Sequence, residues 1–142
     1  MTPEQIFSLS NGIAVVGWAS LILAPRKRLS TLMAGLAIPV LLGSAYAVLI
    51  AVHWRGSSGG FSTLHDVSEL FSHEWLLLAG WVHYLAFDLV VGAWEVRDAS
   101  ASGVPHLLLL PCLLLTFFFG PAGLLMYLIV RAVKSPARIA AS

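Results

Sequence analysis

Apolar residues along this chain come in long runs, and each run has about the length that crosses a bilayer, roughly 20 residues. The pattern predicts four spans, at 6–24, 30–54, 73–96 and 106–130. The first stops at Pro25, which ends a helix, and Arg26, Lys27 and Arg28 anchor it at a headgroup boundary. The second contains Pro39, which a membrane helix tolerates when neighbours re-satisfy the freed carbonyl, so a kink is expected there. The loop 97–105 leads into the fourth, which carries Pro111 and Gly120-Pro121-Ala122-Gly123 and should be bent or locally unwound. The expected fold class is all-α, a polytopic membrane protein built as a single bundle of about four transmembrane helices.

Between the second and third spans the pattern changes. Gly56-Ser57-Ser58-Gly59-Gly60 reads as a flexible turn, and Phe61, Leu64, Val67, Leu70 and Phe71 then recur at helical spacing. This segment is expected to form a short amphipathic helix lying at the membrane interface.

Composition strengthens the membrane reading. Of 142 residues, 58% are hydrophobic and 11% charged, more apolar surface than a soluble domain of this size hides. A net charge of +1 supplies no basic surface for nucleic acid. The single cysteine, Cys112, rules out an intramolecular disulfide. The N-terminus lacks the cationic region and cleavage site of a secretory signal, so its apolar stretch is read as a retained helix. Two cationic groups compete over orientation: Arg26, Lys27 and Arg28 claim the cytoplasmic side for the first loop, while Arg131, Lys134 and Arg138 claim it for the C-terminus. Four straight spans cannot satisfy both; a re-entrant or fifth segment at Gly120 to Gly123 would.

The candidate chemistry lies in the third span. Asp88 is close to mid-span, where an acid costs about 2.5–3.5 kcal/mol on insertion scales and should face a partner or a wet cavity. At roughly 100° per residue, Trp81, Tyr84, Asp88, Gly92 and Glu95 fall along one stripe, with His83 about 140° round from Asp88. Arg97 and Asp98 close the helix, where charges reach headgroups or pair with each other, and His106 opens the fourth span, either to cap the interface or to look back toward Asp98 across the short loop. The tryptophans lie near span ends, as in an aromatic belt, with Trp81 and Trp94 the two that also suit pocket walls. No His-x-x-x-His or His-x-x-His-His pair occurs, so a metal site is not expected, and GxGxxG and P-loop motifs are missing.

The runs Gly80 to Asp88, Gly92 to Asp98, Gly103-Val104-Pro105-His106, Leu110 to Leu113 and Phe119 to Gly123 resemble the abscisic-acid-deficient type, neoxanthin-synthase-like family of small membrane proteins. The resemblance covers nearly the whole chain. Where that family commonly carries an arginine, this chain has Ala93. Plant members are tied to forming neoxanthin from violaxanthin in the plastid; without a transit peptide, this chain resembles a bacterial relative, expected in the inner (cytoplasmic) membrane. The resemblance implies a carotenoid or other long isoprenoid as ligand and isomerisation of an epoxide or related group, which needs a proton donor and a base but no redox cofactor. Asp88 would serve as acid and His83 or Glu95 as base, with Trp81, Tyr84, Trp94, Arg97, Asp98 and His106 lining the site.

Two other functions fit the same residues. A non-catalytic carotenoid or lipid carrier would use Asp88 only structurally, and a small transporter or channel subunit would use it as a proton or ion site. Gly35, Gly43, Gly80 and Gly92 offer close-packing points, within the chain, in a homo-oligomer or against carotenoid enzymes.

Overall fold

A computed structural model describes residues 1–25 and 27–134, so Arg26 and Arg138 lie outside the described residues. Six helices form among them: α1 (Pro3–Leu23), α2 (Arg28–His53), α3 (Leu64–Ser72), α4 (Glu74–Ser102), α5 (His106–Phe119) and α6 (Pro121–Lys134). Helices α1, α2 and α4 are long and apolar enough to cross a membrane. At 1.5 Å per residue, each exceeds the roughly 30 Å of bilayer hydrocarbon.

Local chemistry explains several boundaries. Helix α1 opens on a capping box in which Thr2 and Gln5 satisfy each other's backbone N–H groups, with Pro3 in the first turn. The irregularity expected at Pro39 falls one turn earlier, as a widened π turn over Met33–Ala37. There the N–H of Ile38 reaches back to the Met33 carbonyl, which makes room for a proline ring that would otherwise strike the carbonyl four residues before it. Helix α3 is the expected short helix of the second loop, capped by Thr63 and Asp66.

Helix α4 is the centre of the bundle. Ala79, Ala86, Gly92, Ala93 and Ala99 keep its buried face low, so that neighbours approach closely. Gly35 of α2 packs against Ala93, and the Trp18 ring of α1 lies on Gly92. Gly80 receives Phe71 of α3, whereas Gly43 faces open space. Helix α4 also runs further than expected: residues 97–102, read as loop, continue it to Ser102, and Gly103 ends it in the left-handed conformation at φ +74°.

The predicted fourth span needs correction. Residues 106–130 do not form one crossing helix; α5 and α6, 14 residues each, fold back on one another at Gly120. Each is about 21 Å long, too short to cross alone. Helix α5 descends from the Ser102 end of α4 until its Phe117 and Phe118 carbonyls meet Tyr84, and α6 returns until Arg131 meets Asp98. The two cross where Gly123 lies on the Thr116 backbone; a Cβ at 123 would sit 2.1 Å from that nitrogen.

This re-entrant hairpin removes the conflict between the cationic groups. Lys27, Arg28, Arg97, Arg131 and Lys134 gather at one end of the bundle, tied there by a His106 contact to the Ile22 carbonyl and by the Asp98–Arg131 pair. Glu4, Asp66, Glu69 and Glu74 gather at the other, where His53 stacks on Trp75. Arg55 is the one cation among the described residues of that end.

Candidate functional site

The stripe predicted on the third span exists, and its inner part faces α1 and the hairpin. Asp88 is 9% exposed and Glu95 0%. Glu95 Oε1 accepts a hydrogen bond from Thr116 Oγ1 at 2.9 Å, while Oε2 has no hydrogen-bond partner among the described residues. Asp88 lies against the hairpin turn: a Cβ at Gly120 would come within 2.5 Å of Oδ1, and Oδ2 likewise has no hydrogen-bond partner among the described residues. Gly120, at φ +20°, thus provides both the turn and the space for a carboxyl group. Burying unpartnered carboxyl oxygens in an apolar bundle costs stability, and acids placed so in a membrane helix mark sites of function by default.

The residues around this pair are each held by a neighbour. The Tyr84 hydroxyl, one turn before Asp88, lies 3.1 Å from both the Phe117 and Phe118 carbonyl oxygens, which share its one proton, and it also faces the Asp88 carboxyl group. Those carbonyls belong to the last turn of α5, which has no intrahelical donors left, so Tyr84 satisfies a helix end whose Phe118 and Phe119 side chains are exposed. Trp18 fills the notch above Gly92 and meets Phe117 edge-on, with ring centroids 5.5 Å apart. Cys112 is buried near Glu95 on α5 and donates locally to the Leu108 carbonyl.

At the cationic end the site is closed by a polar lock. Asp98 pairs with Arg131 at 2.8 Å and accepts a short hydrogen bond from the Tyr127 hydroxyl. His106 Nε2 contacts the Ile22 carbonyl at 3.1 Å, fastening α5 to the end of α1. Asp98 and His106, expected to line a site, therefore hold elements together. Arg97 is exposed, with its guanidinium beside Gly35.

At the opposite end the stripe opens. A cleft of about 670 Å³ lies between α1, α3 and α4, walled by Phe7, Phe71, Leu77 and Trp81, with Tyr84 at its inner end. A second, of about 530 Å³, lies between α2, α3 and α4 and ends on His83 and Tyr46. Both volumes are in the range of small-molecule sites. Trp81, 40% exposed, donates from Nε1 to Asn11 at 3.1 Å. His83 does not join Asp88; its imidazole stacks on Phe87 and tilts against Tyr46. Trp94 stands edge-on to Tyr127 and lines neither cleft. Among the described residues, no group of three or more His, Cys, Asp or Glu side chains converges as metal ligands would.

Sequence reasoning missed four residues of the site. Trp18 was grouped with the aromatic belt, and Thr116, Tyr127 and Arg131 gained their roles only when the hairpin closed. Thr116 and Tyr127 did leave a signal, as isolated polar groups within apolar runs.

Protein ABA DEFICIENT 4, chloroplastic, of Arabidopsis thaliana is 22% identical over 141 residues, an alignment covering 92% of this chain and 62% of that protein. The chain thus spans less than two thirds of its relative's length. No solved structure matches it. The family model described as ABA DEFICIENT 4-like matches residues 5–127, which take in all of the helices except the first two residues of α1 and the second half of α6, and the chain belongs to that ABA4-like family.

Proposed function

We propose that this protein binds a carotenoid or other long isoprenoid lipid within the bilayer and isomerises an epoxide or related group on it by acid–base chemistry. The observation that carries the reading is the pair Asp88 and Glu95, buried on one face of α4 with an oxygen of each unpartnered among the described residues, Asp88 about one turn and Glu95 about three turns beyond the inner end of a cleft walled by aromatic side chains. Membership in a carotenoid-related family supports the ligand class. In the reaction, Asp88 delivers a proton to the epoxide oxygen and the C–O bond breaks. Glu95 then takes a proton from a nearby carbon, and the electron pair of that C–H bond forms the new double bond, so the formula is unchanged. The two acids lie two turns apart, about 10 Å along the helix, with the Trp18 ring on Gly92 between them, so that ring must move aside for a reacting group to reach both. Glu95 suits the base role better than His83, which faces the other cleft.

The same proposal sets the protein in a bacterial cytoplasmic membrane with its cationic end toward the cytoplasm, as the distribution of Lys and Arg favours. Co-expression with a carotenoid pathway tests the activity: a new pigment of unchanged mass and altered chromatographic mobility is expected. Unchanged pigments across epoxidised and hydroxylated substrates would overturn the reading. Asp88→Asn should abolish conversion while pigment still co-purifies; full conversion by this variant would leave a carrier role.

A further inference from the structure

Charge in this molecule is sorted by end, and one cation of the basic end is placed unlike the rest. Lys27, Arg28, Arg97, Arg131 and Lys134 share that end, where Asp98 is already taken by Arg131. Lys27, Arg28, Arg97 and Lys134 are exposed, and none of them forms an ion pair among the described residues. Arg97 is set apart by its direction. Side chains on a helix lean toward its N-terminus, which for α4 is the acidic end, so Arg97 leans into the membrane. Its Nη1 lies 3.5 Å from where a Cβ on Gly35 would stand, and that Cβ would be 3.1 Å from the Ala93 Cβ, one turn further in. The guanidinium thus rests in a notch between α2 and α4, left by one residue with no side chain and another with a short one.

Arg97 lies about 13 Å along α4 from Asp88, so with Asp88 near mid-span it falls just inside the roughly 15 Å half-thickness of the hydrocarbon. A cation there needs an anion, and no carboxylate of the described residues supplies one. We infer that the notch binds the phosphate of one anionic phospholipid, gripped by the Arg97 guanidinium and flanked by Arg28. Arg28 stands about two turns before Gly35 on nearly the same face of α2, on the headgroup side of the notch. A planar guanidinium matches two phosphate oxygens at once, and basic pockets between membrane helices are where acidic headgroups settle. Trp94, exposed on the same side of α4, adds an indole at the boundary where that ring is favoured. A choline or ethanolamine headgroup suits the notch less well, because its ammonium would meet Arg28 and Lys27 with Asp98 already engaged. The site lies at the far end of α4 from both clefts, and it is independent of the proposed reaction.

The test is native mass spectrometry of the full-length protein, released from nanodiscs that hold phosphatidylglycerol and phosphatidylcholine of the same acyl chains in equal amounts. One phosphatidylglycerol per chain should survive release, in about tenfold excess over phosphatidylcholine. Arg97→Gln should bring that excess down to about twofold or less, and Arg97→Lys, which keeps the charge but loses the planar fork, should lower it by about threefold or more. Lys134→Gln removes the same charge from α6 and should leave the excess within about twofold of the parent. Because Arg97 has no ion-pair partner among the described residues, both Arg97 variants should melt with the parent in phosphatidylcholine alone. Equal retention of the two lipids by the parent, an equal loss in Lys134→Gln and Arg97→Gln, or an Arg97→Lys variant indistinguishable from the parent would each reduce the notch to a diffuse cationic surface and overturn the site. A lower melting temperature of either Arg97 variant in phosphatidylcholine would make Arg97 a structural residue instead. Release of the bound phosphatidylglycerol by excess inorganic phosphate would make the notch a site for free phosphate, and would overturn the lipid as its occupant.

Discussion

From Asp88 to Ser102, the inner face of helix α4 is covered by α1, α2 and the α5–α6 hairpin, while Val90, Trp94 and Arg97 on its other side are exposed; from Glu74 to Phe87 it is flanked by a strap and two clefts. In the enclosed half, polar groups answer one another: Thr116 to Glu95, Tyr127 and Arg131 to Asp98, His106 to the end of α1. The exceptions are one oxygen of Asp88 and one of Glu95. In the open half the groups are aromatic, and Phe71, Trp81 and Phe61 are 40%, 40% and 73% exposed. The difference separates two tasks within one helix. The enclosed half fixes two acids where water and lipid do not compete for them, and the open half admits a ligand to their edge.

The enclosure depends most on the hairpin crossing, so the largest effect is expected from Gly123→Leu. Its Cβ would meet backbone rather than a movable side chain, and the loss should exceed the ~1–3 kcal/mol typical of overpacking. Thermal unfolding in detergent should show loss of the cooperative transition. Retention of the parent melting temperature would mean that the hairpin does not close as described. Gly92→Ala is a milder control, since the Trp18 ring that it strikes can shift.

The polar lock is the next point of attack. Asp98→Ala leaves Arg131 and the Tyr127 hydroxyl facing each other without their acceptor. Breaking a fully buried pair costs about 3–5 kcal/mol, and with the partners 28% and 16% exposed a loss of about 1–3 kcal/mol is expected. Adding Arg131→Met should recover part of it, because the stranded cation is removed. If the double variant melts below Asp98→Ala, the lock is not a pair and the enclosed half owes its order to packing alone.

How much of this contrast could be read from sequence depends on the range of the contacts involved. The stripe of Tyr84, Asp88 and Glu95 was legible because helical periodicity is local, and its burial followed from the apolar runs around it. The amphipathic α3 was legible for the same reason. The hairpin was visible only as an alternative, since Gly120 to Gly123 suits a bend as well as a reversal, and the choice is made by Gly123 against Thr116 and Arg131 against Asp98. Tryptophan near a span end reads as a membrane belt, and only the notch at Gly92 makes Trp18 a core residue. His83 faces away from Asp88, as its angular offset allowed, and the π turn at Met33–Ala37 shows that a proline's disturbance is absorbed before it.

A sharper contrast lies between the two acids and the frame that holds them. Glu95→Gln keeps the contact to Thr116 and replaces the unpartnered oxygen with an equally unpartnered amide NH2, so stability should fall by no more than about 1–3 kcal/mol. Conversion of pigment should nonetheless be lost. A folded but inactive variant is the pattern expected of an acid kept for chemistry. A large fall in melting temperature would instead make Glu95 a structural partner of Thr116.

The smallest effect should come from the open half, at His83. His83→Phe preserves the stacking on Phe87 and the edge toward Tyr46 but removes the ring nitrogens. Because the imidazole faces the second cleft and not Asp88, kcat should change by no more than about twofold, with the effect confined to KM. Steady-state conversion measured across substrate concentration separates the two. A hundredfold fall in kcat would restore His83 as the base, and would mean that the ligand carries the reacting group around α4 from one cleft to the other.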